Sequence, residues 1–221
     1  MNLAESIKKA EGAFQQLRKN AETQRLLDGI DESGLSPEWC KAFRKQLFTD
    51  KSVPEVGNKL AYDDFIHQGP PAGVHIRING NDFGGINGDL GHEHGNKAVS
   101  HLGRAVRDSM DSVLPSATDG LHNAWRLGGD EFHAHLPDMA AAARFAHGLR
   151  SRLEAIPPLN GEHALSVSMG FGSHQDQAHR AMLLAKGAKR DANYRPGFAQ
   201  THAHSMVPGH EGPVPVQDRR P

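Results

Sequence analysis

The chain has 221 residues, enough for one ordinary domain with extensions and too few for two large ones. Lys and Arg number 25 against 26 Asp and Glu, and a net charge of -1 gives no general positive field to gather nucleic acid or an anionic membrane, so any phosphate binding must be local. A single cysteine, Cys40, excludes an intramolecular disulfide and a thiolate zinc site, and no run approaches the ~20 apolar residues that span a bilayer. The expectation is a cytoplasmic protein with neither nucleic acid nor membrane as partner.

Leu3, Ile7, Ala10, Phe14, Leu17 and Ala21 recur every three or four residues and predict an amphipathic helix over 2–28. Its stripe serves either packing on the chain's own domain or a short two-chain coiled coil. Ser36-Pro37-Glu38 opens a second helix to about Leu47, since a serine cap and a proline in the first turn suit a helix start. A third covers 58–67, and Gly69-Pro70-Pro71 ends it before Val74–Ile78, which alternates like a strand. A polar, glycine-rich stretch over 79–95 then leads into Ala98, Val99, Leu102, Val106, Met110 and Val113 at helical spacing.

Residues 122–136 read as two short strands folded back at Gly128-Gly129, because paired glycines reach the positive backbone angles of a tight hairpin. Helices over 137–156 and 178–189 flank a strand at 165–169, and the order as a whole is that of an α+β fold. After Tyr194 bulky apolar residues nearly vanish, so 195–221 is expected to be a disordered tail rich in His, Pro and Gly, with His202, His204 and His210 solvated. The domain boundaries follow as a helical extension over 1–49, a central domain over 50–194, and that tail.

Asp130 and Glu131 follow the glycine pair, and a tight turn carrying adjacent acids can present carboxylate oxygens to a cation that faces nucleotide phosphates. The same letters also occur in surface turns whose acids are merely solvated. Longer agreement decides between them. Arg126-Leu127-Gly128-Gly129-Asp130-Glu131-Phe132 resembles the signature of the GGDEF family of diguanylate cyclases. Asn79-Gly80-Asn81-Asp82-Phe83-Gly84-Gly85-Ile86-Asn87 resembles its Asp-x-Asp-x-Phe-Lys-x-x-Asn loop, and Gly91-His92-Glu93-His94-Gly95-Asn96 its Gly-His-x-x-Gly-Asp segment. Leu136-Pro137-Asp138, Ser166–Gly170 and Ala178–Arg190 are similar to later family segments, so that the resemblance spans about residues 50–191.

The resemblance implies a palm-like nucleotide-cyclase fold, a central and mostly antiparallel sheet surrounded by helices. It implies a homodimer in which two GTP, one on each facing subunit, condense to cyclic di-GMP, each 3′-hydroxyl attacking the other's α-phosphate. By resemblance Asp130 is the catalytic base, and Asp130, Glu131, Asn79 and Gly80 hold Mg²⁺ or Mn²⁺. Asn87 holds the guanine edge with Asn96, His92 lies near the nucleotide, and Lys186 and Arg190 contact phosphates.

The pattern departs from the family at three positions. Asn79 stands where the first metal aspartate is expected and brings an amide oxygen without negative charge, which lowers affinity for a hard cation. Asp82 could replace it only if the loop bends differently, and otherwise serves as a turn aspartate. Gly84 replaces the loop lysine. Asn96 replaces the guanine-reading aspartate, and since an amide offers one donor and one acceptor where a carboxylate accepts twice, base selectivity is expected to relax. The family's Arg-x-x-Asp product site is not found in Asp119-Gly120-Leu121-His122. These departures keep a second reading open, that of a degenerate domain acting as a nucleotide-binding or protein-interaction module. His92-x-His94 and His133-x-His135 also invite a zinc reading, with His133 and His135 on the strand face of Glu131, although the His-Glu-x-x-His spacing of a helical zinc enzyme is missing.

Overall fold

The computed structural model describes residues 22, 24–29, 36–114, 123–191 and 201–214, with the backbone alone for 188–191. Most of the predicted first helix lies outside these residues; 24–29 are helical, with Leu27 buried. Helix α1 (Pro37–Phe48) starts as its sequence predicts, the Ser36 side chain accepting from the Trp39 N–H. At α2 (Lys59–His67), Asn58 has two roles. Its Oδ1 accepts from the Ala61 N–H at 3.0 Å, while its Nδ2 donates to the carbonyls of Leu47 and Thr49 at 2.7 and 3.2 Å, tying two helices together.

Strand β1 (Val74–Gly80) is followed at once by α3 (Phe83–Leu90) and α4 (His92–Val113). The glycine-rich stretch is therefore largely helical, a correction to the reading that began the helix at Ala98. Phe83 and Ile86 are buried at helical spacing, and this anchoring outweighs the low helix propensity of Gly84, Gly85 and Gly88. Asp82, with φ 60°, is the left-handed residue at the turn, and Gly91, with φ 82°, separates the two helices.

Strands β2 (Ala124–Gly128) and β3 (Glu131–Leu136) form the predicted hairpin, with Gly128 and Gly129 at φ 144° and 53°. Helix α5 (Met139–Glu154), capped by Asp138, strand β4 (Val167–Gly172) and helix α6 (Gln175–Asp191) follow in the expected order. The expected disordered tail is corrected over 201–214. β5 (His202–Ser205) pairs in parallel with β4, and β6 (Gly212–Pro213) pairs with β5. Small Ala203 and Ser205 are buried there, while His202 and His204 are half-buried and only His210 is exposed. Such a strand can be placed by ladder bonds and small buried groups, and a search for bulky apolar residues overlooks it. Residues 195–200 and 215–221 lie outside the described residues.

The sheet order is β2-β3-β1-β4-β5-β6, antiparallel apart from the β4–β5 pair. Ile76, Ile78, Phe132, Leu136, Met169 and Phe171 join Leu102 and Val106 of α4 and Phe145 and Leu149 of α5 in one buried cluster. Burial of each such side chain contributes roughly 1.5–3 kcal/mol. Helices α2 and α6 contact the strands as well, on the face that bears His75, Arg77, Asn79, Glu131, His133 and His135. Gly170 permits the close approach of α6: a Cβ there would run into the backbone of Ala178 and Met182.

Three of those histidines are buried together. His75 Nδ1 and His133 Nε2 share a hydrogen bond of 3.1 Å, and Tyr62, Phe65 and Trp125 pack around the rings. Burial lowers the pKa of all three, to about 4 for His75 and well below the usual value for His133, where the charges of His75 and Arg77 act in the same direction. His135 is held up in part by a hydrogen bond with the Pro71 backbone.

Two outcomes follow from this packing. Gly170→Ala should lower stability by about 1–3 kcal/mol, since backbone atoms of α6 must move, as read by urea denaturation. The histidines are neutral in the fold, whereas the unfolded chain takes up protons as pH falls through about 6.5. Their stabilising contribution is therefore complete above that value and is lost as pH falls toward 4, a tenfold change in proton affinity being worth about 1.4 kcal/mol. Thermal melts at pH 7.5, 6.5 and 5.5 should show a declining Tm that His75→Phe makes shallower, and equal slopes would refute the assignment.

Candidate active site at the hairpin edge

The Gly128-Gly129 turn sets Asp130 and Glu131 beside the end of β1. Arg126 fastens the turn from below: its Nε donates to the Gly129 carbonyl at 2.9 Å and its Nη1 reaches Asp50 Oδ1 at 3.3 Å. Glu131 is the register partner of Asn79, whose other neighbour is Ser168 of β4. The Gly80 N–H donates to the Asp130 carbonyl at 3.0 Å, and a Cβ on Gly80 would meet the Phe83 ring and, at 3.1 Å, the Asp130 Cβ. Glycine is required there because strand, hairpin and α3 converge on one point.

Asn79 is 3% exposed and its two amide atoms face opposite partners. Nδ2 donates to Asp130 Oδ2 at 3.1 Å, while Oδ1 accepts a short hydrogen bond from Lys186 Nζ of α6. An acceptor on one side and a donor on the other determine which way the amide points. Glu131 is held differently, through Arg77 Nη2, which donates to its Oε2 at 2.7 Å. Burial raises the Asp130 pKa above the ordinary carboxylate value, and its own backbone N–H, Lys186 and Asn79 offset part of that rise. A carboxylate raised in this way is a better proton acceptor near neutral pH.

Asp130, Glu131, Asn79, Gly80 and Lys186 are thus brought together at one edge of the sheet. Asn87 stands one turn beyond Phe83 on α3, half-buried and against Gly95, while His92 and Asn96 are exposed on the first turns of α4. Arg190 is on the last turn of α6, with its side chain outside the described residues. Asp82 has the turn role: it is exposed in the left-handed region, its carboxylate over Gly85. Gly84 is exposed, and no described atom is close to the position its Cβ would take. The segment 119–122 is outside the described residues.

No group of three or more His, Cys, Asp or Glu among the described residues is placed to hold a metal ion. This overturns the zinc reading: His94 Nδ1 bonds the Leu90 carbonyl at 2.9 Å in the first turn of α4, whereas His133 and His135 are buried beneath α2. The donor set also does not fit a resident Mg²⁺ or Mn²⁺. Asn79 Oδ1, an oxygen that would coordinate, already accepts from an ammonium, and Glu131 Oε2 is taken by a guanidinium. Arg77 went unnoticed in the sequence. Its signal was a charged residue within a strand of Ile and Val, two positions before Asn79 and therefore on the same face.

Among the described residues no helix is long and apolar enough to cross a membrane. No curated protein sequence matches the chain. Its fold is similar to that of the coiled coil and GGDEF domain of DgcB from Caulobacter crescentus in complex with c-di-GMP, at TM-score 0.52 and 16% identity, covering 80% of this chain and 97% of that one. Diguanylate cyclase SiaD from Pseudomonas aeruginosa, in complex with its activator SiaC, gives TM-score 0.55 and 17% identity, covering 92% and 77%. A diguanylate cyclase/phosphodiesterase from Caldicellulosiruptor saccharolyticus gives 0.50 and 17%, covering 75% and 97%. At these identities the likeness speaks for the fold. The family model described as "Diguanylate cyclase, GGDEF domain" matches residues 64–193, more than half of the chain. The chain belongs to the GGDEF-domain family.

Proposed function

We propose that this chain is a cytoplasmic nucleotidyltransferase that binds GTP or a related nucleoside triphosphate at the hairpin edge. Two facing copies would condense two GTP into cyclic di-GMP with relaxed base selectivity. The observation that carries the proposal is the Lys186–Asn79–Asp130 chain, which holds an ammonium and a carboxylate of raised pKa at the two ends of one amide. In the reaction a 3′-oxygen bonds to the partner nucleotide's α-phosphorus, the bond to pyrophosphate breaks, and the hydroxyl proton must leave. Asp130 is suited to receive that proton, and Lys186 to offset charge that builds on the phosphate oxygens. Arg190, one turn beyond Lys186, would extend the cationic side, while Asn87, His92 and Asn96 would frame the base. Gly84, without a side chain, gives no phosphate contact.

A second reading has its own support. Asn79 stands where an anion is expected, Glu131 is already paired with a guanidinium and Asn79 Oδ1 with an ammonium, an arrangement suited to a nucleotide-binding module without turnover. Incubating the purified protein with GTP, ATP and both together, first in Mg²⁺ and then in Mn²⁺, and identifying products by mass separates the two. The enzyme reading expects a cyclic dinucleotide in at least one mixture; its absence from all of them leaves the binding module.

Asp130→Ala should abolish any such product, a loss of at least about 100-fold if general-base catalysis is removed. Asn79→Asp should increase turnover by restoring an anion. Unchanged rates in both variants would place the chemistry elsewhere. Sedimentation at micromolar concentration with GTP present should reveal a dimer, and a persistent monomer would oppose a two-subunit active site.

A further inference from the structure

We infer that Arg77, bonded to Glu131, and Lys186, bonded to the Asn79 amide oxygen, fill the hairpin edge in place of a divalent cation, so that the nucleotide-free chain holds none at this site. The inference rests on the nucleotide-binding reading only for the order of events once a triphosphate arrives. The group consists of two carboxylates, Asp130 and Glu131, and two cations, Arg77 and Lys186; the neutral Asn79 amide links Asp130 to Lys186, and Arg77 bonds Glu131 directly. Its formal charge is zero. A hard cation needs several anionic oxygens and gives up its water reluctantly, and here it would also have to approach an ammonium already bonded to Asn79 Oδ1.

Arg77 is built to stay where it is. It rises from the middle of β1, between His133 and Gly170, and its side chain is 17% exposed against 38% for Glu131. With Tyr62 and Gln175, whose side chains share a 2.7 Å hydrogen bond, it lines a cleft of about 640 Å³ between α2 and α6. Its Nε is buried and has no hydrogen-bond partner, so the Glu131 contact through Nη2 carries the pairing of a largely buried guanidinium. Arg77 is thus a positioning residue for Glu131. A triphosphate supplies anionic oxygens that can draw Lys186 away while Arg77 keeps Glu131 in place, and it brings its own cation, which makes metal entry follow nucleotide entry.

The test is a Mn²⁺ titration of the full chain without nucleotide, read by electron paramagnetic resonance of the free ion, with circular dichroism melts to confirm folding. Wild type should bind no Mn²⁺ below about 1 mM, weak even beside extracellular-type cation sites. Arg77→Gln should tighten binding by about tenfold or more, Arg77→Lys should restore the weak binding, and Asn79→Asp should tighten it independently. A wild-type site saturated at tens of micromolar would overturn the inference, as would folded Arg77→Gln and Asn79→Asp proteins no tighter than wild type. If Arg77→Gln does not fold, the wild-type and Asn79→Asp titrations decide. A separate GTP titration in Mn²⁺ tests the nucleotide-binding reading: loss of all GTP binding would remove that reading, while the nucleotide-free metal result still judges Arg77.

Discussion

The site depends on the Asn79 carboxamide being clamped between an ammonium and a carboxylate. Asn79 lies at the end of the strand that every other part of the site uses as its ruler: Glu131 across one ladder, Ser168 across the other, Asp130 at the turn, Lys186 from the helix on that face. The amide has no charge of its own. It passes polarity from one partner to the other, with a donor at one end and an acceptor at the other. Asp130 is thereby held through the amide and Glu131 separately by Arg77, unlike an anionic cup that waits for a cation.

That arrangement is possible because the sheet has two different faces. One is a conventional apolar core under α4 and α5. The other, under α2 and α6, combines buried histidines, aromatic rings and a guanidinium; His75 pairs with His133 and Arg77 with Glu131, while Arg77 Nε, His133 Nδ1 and His135 Nε2 are buried without a hydrogen-bond partner. Buried polar groups that rely on each other tolerate little local change, because removing one leaves its partner unmatched in a poorly solvating environment. The functional edge therefore inherits its rigidity from a layer that is chemically costly to bury and, once matched, well defined in geometry.

The hairpin was legible because paired glycines and adjacent acids have few other uses together, and β1, α2 and α5 because apolar period and caps agreed. Family membership was legible in the ordered segments on either side of Gly128-Gly129. Helix α3 was hidden by its glycines, whose low propensity says nothing of Phe83 and Ile86 anchoring the turn from below. Strand β5 was hidden because its buried residues are Ala203 and Ser205, too small to register as apolar pattern. Arg77 was hidden for a different reason. Strand alternation assigns a face, but only the register of β1 against β3 shows that its neighbour is the motif glutamate.

The short stretch before α2 also belongs to the hairpin mechanically. Gly57 accepts from Arg126 and donates to Ala124, running alongside β2, while Asp50 receives the Arg126 guanidinium that also grips the turn at Gly129. Asp50 Oδ1 is in turn bonded by the Ser52 and Val53 amides, so residues 50–57 form a stiff bracket around the outer strand. A tug on the chain just ahead of Asp50 therefore travels through one side chain into the loop that carries the acids, and a force applied to the amino-terminal helices would be felt as a change in the tilt of Asp130.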